Sequence, residues 1–92
     1  MANRTLDEDG LQRLADLLDA DANWPLDYLF KFIVPSDQVD QVKALFPPGL
    51  VSLRQSRTGK YQSVSATLSL PDSDSVIEIY RQAGMIPGLM AL

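Results

Sequence analysis

Residues 61–70 read Tyr-Gln-Ser-Val-Ser-Ala-Thr-Leu-Ser-Leu. From Val64 onwards every second residue is apolar, and the residues between are serine or threonine. Successive side chains of a strand point to opposite faces, so this alternation predicts one face toward a core and one toward solvent or a partner. Thr58-Gly59 just before it predicts a turn, and the weakly alternating residues 50–57 then form the other strand of a hairpin.

The segment before this hairpin predicts a strand followed by a helix. Residues 28–34 are aromatic or aliphatic except for Lys31, which is typical of a buried or central strand. Pro35 ends that strand, and Ser36 is the expected helix N-cap. The helix is expected to carry an apolar stripe formed by Val39, Val42 and Phe46. Pro47-Pro48-Gly49 is expected to stop it.

The segment after the hairpin predicts a second helix and a short last strand. Asp72 or Ser73 caps the helix, and Gly84 is the expected C′ residue. Pro87 and Gly88 interrupt the apolar residues 85–92, which suits an edge strand. The order β-α-β-β-α-β predicts an α+β, ferredoxin-like sandwich. Its four-stranded antiparallel sheet carries both helices on one face and leaves the other open, lined by the Tyr61 and Ser63 side of the hairpin.

Residues 1–23 are expected to form an acidic helical extension and linker in front of a domain over residues 24–92. Residues 1–27 carry seven acids against two bases. A capping box of Thr5 with Glu8, or a cap at Asp9, would start the helix. Its apolar stripe suggests the hypothesis that the helix covers the open sheet face, through Leu11, Leu14 and Leu18.

Composition argues against catalysis and cofactors. The 92 residues contain no histidine and no cysteine, which removes the usual general base and the best zinc ligands. Gly59-Lys60 lacks the earlier glycine and following Ser or Thr of a phosphate loop, and a Ser56–Lys60 dyad would lie on an unshielded hairpin turn. We therefore expect no enzyme, catalytic residue, metal or cofactor. Because no signal peptide or membrane-length apolar segment is visible, we expect a cytoplasmic protein.

The hairpin is the candidate ligand- or partner-binding site. No acid occurs between Asp40 and Asp72, whereas the hairpin carries three bases. Such a patch suits a protein partner or a small anionic ligand in a regulatory role, and an ordinary solvated hairpin is the alternative. A nucleic-acid-binding module and a self-assembly module, such as a homodimer, remain further readings. The candidate residues are Arg54, Ser56, Arg57, Lys60, Tyr61 and Ser63.

The chain also resembles the YbeD-like family of small bacterial proteins, catalogued as a domain of unknown function. The resemblance spans residues 24–92 in matching order. It implies a ferredoxin-like fold similar to the regulatory ACT domains, and no established activity. ACT domains bind amino acids near a glycine in the first strand–helix loop, which this chain lacks at residues 34–37. The matching residues are Trp24-Pro25, Tyr28-x-Phe30-Lys31-Phe32, Ser56-Arg57-Thr58-Gly59-Lys60-Tyr61-x-Ser63-Val64, Ile79-Tyr80 and Gly88 through Leu92.

Overall fold

The computed structural model describes residues 7–21 and 23–92. A short 3-10 turn, Ser36–Gln38, separates the first strand from the second helix. The remaining elements, in chain order, are α1 (Glu8–Asp21), β1 (Leu26–Pro35), α2 (Val39–Lys43), β2 (Val51–Gln55), β3 (Tyr61–Leu70), α3 (Ser73–Ala83) and β4 (Met90–Ala91).

The four strands form one antiparallel sheet in the order β2-β3-β1-β4. β1 pairs with β3 along its whole length, from Leu26 opposite Leu70 to Pro35 opposite Tyr61. Its other side pairs with β4 at Phe32 and Ile33. The predicted ferredoxin-like fold and the central position of the first strand are therefore confirmed.

The core lies between the sheet and the helices. β1 contributes Phe30, Phe32 and Val34, each 0% exposed, and β3 contributes Val64 and Ala66. These side chains share one face because they are two residues apart on their strands. Residues of α2 and α3 complete the cluster from above the sheet, chiefly Val39, Val42, Val76, Ile77, Tyr80 and Ala83.

An aromatic group occupies the centre of this core. The ring centroid of Phe30 lies 5.2 Å from that of Tyr80 and 5.5 Å from that of Phe46. The Tyr28 and Tyr80 hydroxyls lie 3.0 Å apart and share a hydrogen bond, which satisfies the polar end of the buried Tyr80. Buried tyrosines require such a partner, so this pair fixes the orientation of α3 over the first strand.

The buried Tyr80 makes stability depend on pH in the alkaline range. Burial first, and then the Tyr28 hydrogen bond, raise the pKa of Tyr80 far above the ordinary tyrosine value. The folded state keeps this proton above about pH 10 whereas the unfolded chain loses it, so the free energy of unfolding falls as pH rises. We expect the fall between about pH 10 and 12 to be shallower in Tyr80→Phe, measured by urea unfolding, and unchanged in the exposed control Tyr61→Phe. Equal slopes in all three proteins would contradict this.

Three helix ends differ from the predicted ones. Asp7 caps α1, since its Oδ1 accepts from the Gly10 N–H at 2.7 Å, so the expected cap at Asp9 is wrong. The proposed cap at Thr5 lies outside the described residues. Ser36 is not an N-cap either, because its hydroxyl donates to the Gly59 carbonyl across the sheet end. Gly84 keeps a right-handed conformation, with φ −63°, so α3 ends without the expected left-handed residue.

The start of α3 agrees with the sequence. Asp72 is the N-cap, and its Oδ1 accepts hydrogen bonds from the hydroxyl and the backbone N–H of Ser75. Both bonds favour the carboxylate and hold the pKa of Asp72 below its ordinary value. The last strand is shorter than predicted and spans Met90–Ala91.

α1 packs against α3 and not against the open sheet face, so the covering hypothesis is wrong. Leu11 is 1% exposed and belongs to the core. Arg81 Nη2 binds Glu8 Oε1 at 3.1 Å at one end of the contact, and the Ser73 hydroxyl donates to Asp19 at 2.6 Å at the other. The apolar stripe of α1 thus packs on the helical side of the sheet.

Candidate binding surface on the open sheet face

The sheet surface opposite the helices remains exposed. Its side chains alternate with the buried ones on each strand, and the strand register aligns them in rows. One row crosses the sheet from Met90 through Ile33 and Ser63 to Arg54. We call this surface the open face, and its residues are Asp27, Leu29, Lys31, Ile33, Ser52, Arg54, Tyr61, Ser63, Ser65, Thr67, Ser69 and Met90.

The β2–β3 turn is held by its own backbone. The Ser56 N–H donates to the Tyr61 carbonyl at 2.8 Å, and the Gly59 N–H donates to the Ser56 carbonyl at 3.0 Å. Gly59 has φ +77°, which glycine adopts without steric cost. Ser36 binds this turn to the end of β1, since its N–H donates to the Lys60 carbonyl at 2.9 Å.

The Ser56 hydroxyl is part of the same turn. Its oxygen accepts a hydrogen bond from the Tyr61 N–H at 3.2 Å. The Lys60 N–H in turn lies 3.4 Å from the Thr58 hydroxyl oxygen. These bonds give the serine and the turn a structural role, because they replace the ladder bonds that the bend removes.

Four of the six predicted site residues come together around a shallow depression of about 300 Å³ on the open face. They are Arg54, Ser56, Tyr61 and Ser63, and Arg54 lies directly across the strands from Ser63. The other two predicted residues do not line this depression. They lie in the exposed turn beyond the end of β2, at positions Arg57 and Lys60.

Sequence reasoning missed the apolar side of this surface. Leu29 is 57% exposed, Met90 is 48% exposed, and Ile33 lines the depression. The signal was present, because Leu29, Lys31 and Ile33 alternate with the buried aromatic residues of the same strand. A strand this rich in apolar residues predicts burial on both faces, and that expectation hid the alternation.

The cationic side chains on the two sides of the molecule differ in their ion-pair partners. Arg81 on the helical side binds Glu8 and Glu78, and these contacts, Glu8 first, raise its pKa. Lys31 and Arg54 on the open face form no ion pair with any residue that the structure describes. The open face therefore offers two cations beside exposed apolar side chains.

Within residues 7–21 and 23–92, no group of three or more acidic side chains is arranged to hold a metal ion. None of the helices in those ranges has the length and apolar content needed to cross a membrane.

Comparison with known proteins identifies a family. Neither a curated protein nor a solved structure matches the chain. One family model does match, over residues 20–92, and its description is "Protein of unknown function (DUF493)". The match includes the whole sheet and begins within the last turn of α1. YbeD-like proteins are members of the same family, as the resemblance implied. The chain therefore belongs to the DUF493 family of proteins of unknown function.

Proposed function

We propose that this protein is a non-enzymatic binding module of the cytoplasm that recognises a protein partner through its open face and acts in regulation. One observation carries the proposal. The open face combines exposed apolar side chains with two cations, Lys31 and Arg54, that have no ion-pair partner among the described residues. A partner with apolar and acidic side chains would complement both features.

The arrangement favours a protein partner over nucleic acid. Base stacking on a sheet requires exposed aromatic rings, but Phe30 and Phe32 are fully buried and Tyr28 packs against the core. Tyr61, 45% exposed, is the aromatic residue that the open face offers. Asp27 at one end of the surface would also repel phosphates.

A small anionic ligand is the second candidate, and the depression supports it. Arg54, Ser63 and Tyr61 line one depression, and their side chains carry hydrogen-bond donors suited to a carboxylate or phosphate. The site is shallow, whereas sites for small molecules bury most of their ligand. This geometry therefore supports weak anion binding better than selective recognition.

The test compares two pairs of charge reversals, one pair on the open face and one pair in the β2–β3 turn. Lys31→Glu with Arg54→Glu reverses the open-face cations, while Arg57→Glu with Lys60→Glu makes the same charge change in the turn. We expect capture of the partner from source-organism lysate, quantified by mass spectrometry, to fall about tenfold or more with the first pair and to change little with the second.

Three outcomes would contradict the protein-partner proposal. An equal loss of partner capture with both variants would mean that capture depends on the net charge of the protein and not on the open face. Captured nucleic acid that nuclease removes would favour the nucleic-acid reading. Unchanged capture, together with amide shifts at Arg54 and Ser63 when inorganic phosphate is added, would favour the small anion. Circular dichroism on both variants checks that they remain folded.

A further inference from the structure

We infer that Met90 is a site of reversible oxidation, at which a peroxide converts the thioether to the sulfoxide and thereby weakens binding of the partner to the open face. This regulation rests on the function proposed for the open face and adds a chemical switch to it.

Strand pairing places the Met90 side chain on the open face. Met90 lies opposite Ile33, and Ala91 lies opposite Phe32. Phe32 is fully buried and Ala91 packs against the core, so these two residues mark the inner face of the sheet. Successive side chains of a strand alternate between the two faces, which turns Met90 outward beside Ile33. Its side chain is 48% exposed and therefore accessible to a dissolved oxidant.

Met90 supplies part of the apolar surface that the proposed partner covers. It stands at one end of the row that crosses the sheet through Ile33 to the cationic Arg54. A partner seated on this row removes the thioether from water, and burial of a methionine side chain favours binding as burial of other apolar side chains does. Methionine is a common residue of binding surfaces because its unbranched chain adapts to the partner.

Oxidation changes this apolar side chain into a polar one. The Met90 sulfur attacks one oxygen of hydrogen peroxide, an S–O bond forms, the O–O bond breaks, and the second oxygen leaves with both protons as water. The sulfur is oxidised by two electrons and the peroxide is reduced by two. The sulfoxide oxygen accepts hydrogen bonds from water, and a partner that covers it with apolar groups must remove that water at a cost. Methionine sulfoxide reductases reverse the step, so the change can act as a switch.

The composition of the chain directs peroxide chemistry to methionine. The chain contains no cysteine, whose thiolate peroxides also oxidise, and it contains three methionines. Met1 lies outside the described residues. Met85 is 75% exposed and belongs to the turn after α3, since its N–H donates to the Gln82 carbonyl at 3.1 Å. Met85 therefore reports what the same oxidation does outside the sheet.

The first test treats Met85→Leu and Met90→Leu with the same concentration of hydrogen peroxide, which catalase then removes. Peptide mass spectrometry measures the sulfoxide at each position, and capture of the partner from source-organism lysate is measured before and after treatment. We expect capture by Met85→Leu to fall about fivefold or more on oxidation, because Met90 is then a sulfoxide. Capture by Met90→Leu should not change, and methionine sulfoxide reductase should restore capture by Met85→Leu.

A pair of glutamine variants tests the effect of polarity without an oxidant. Glutamine resembles methionine in length and carries a polar end. We therefore expect Met90→Gln to lower capture about as much as oxidation does, and Met85→Gln to leave it unchanged.

The possible results separate this regulation from the binding function itself. Capture by the untreated wild type that persists after Met90 is oxidised would overturn the regulation alone, whereas no capture by the untreated wild type would overturn the binding function together with it. An equal loss of capture in oxidised Met90→Leu would place the effect at another residue and would also overturn the inference. So would a loss of the circular dichroism signal in oxidised Met85→Leu, because unfolding would then explain the loss.

Discussion

Leu11→Ala is expected to lower the free energy of unfolding by about 2–5 kcal/mol, the range for truncating a fully buried leucine. Leu11 is 1% exposed in the contact between α1 and α3, where residues of both helices join the core. Its truncation leaves a cavity and weakens the attachment of α1. Urea unfolding followed by circular dichroism measures the change.

Leu17→Ala in the same helix is the matched control, because Leu17 is 62% exposed. This substitution removes the same atoms without creating a cavity, and we expect a change within about 0.5 kcal/mol. Similar small losses for both variants would mean that α1 does not contribute its stripe to the core in solution.

Phe30→Ala is expected to cost about 3–5 kcal/mol, a large share of the 5–15 kcal/mol that holds a small domain folded. Phe30 is fully buried on the central strand and contacts the rings of Tyr80 and Phe46. Removing its ring therefore weakens the packing of the first strand against both α2 and α3. The measurement is the midpoint of urea unfolding. A slope of the transition equal to that of the wild type checks that unfolding remains two-state.

Tyr61→Ala provides the comparison for a strand aromatic on the other face. Tyr61 is 45% exposed, so its loss removes little buried surface, and we expect a cost of about 1 kcal/mol or less. If Tyr61→Ala destabilised the protein as much as Phe30→Ala, the open face would be covered in solution. That result would contradict the proposed binding surface directly.

The fold was predictable because the local patterns of the chain agree with each other. Alternation predicted β3 and the face of β3 that is turned toward the core. Pro35 and Asp72 marked element ends close to the observed ones. The docking of α1 was not predictable from its stripe. An apolar stripe shows that a helix is buried on one side, but it does not tell which surface buries it.

The candidate site was predictable in part for a similar reason. Residues close in sequence, such as Arg54 and Ser63, were grouped on one hairpin, and the strand register sets these two opposite each other. Leu29 and Met90 join that face only through strand pairing between distant segments, which no local pattern contains. Ser36 shows the same limit, since its residue type suits a cap but its partner, Gly59, comes from another part of the chain.

The attachment of Ser36 to the β2–β3 turn bears on how the protein folds. The first strand and β3 pair over chain separations that rise from 26 residues, at Pro35 and Tyr61, to 44 residues, at Leu26 and Leu70. Closing the shorter loop costs less chain entropy, and the bonds of Ser36 to Gly59 and Lys60 reward closure at that end. We therefore expect the hairpin to act as a local folding nucleus, onto which the central strand zips from Pro35 back toward Leu26.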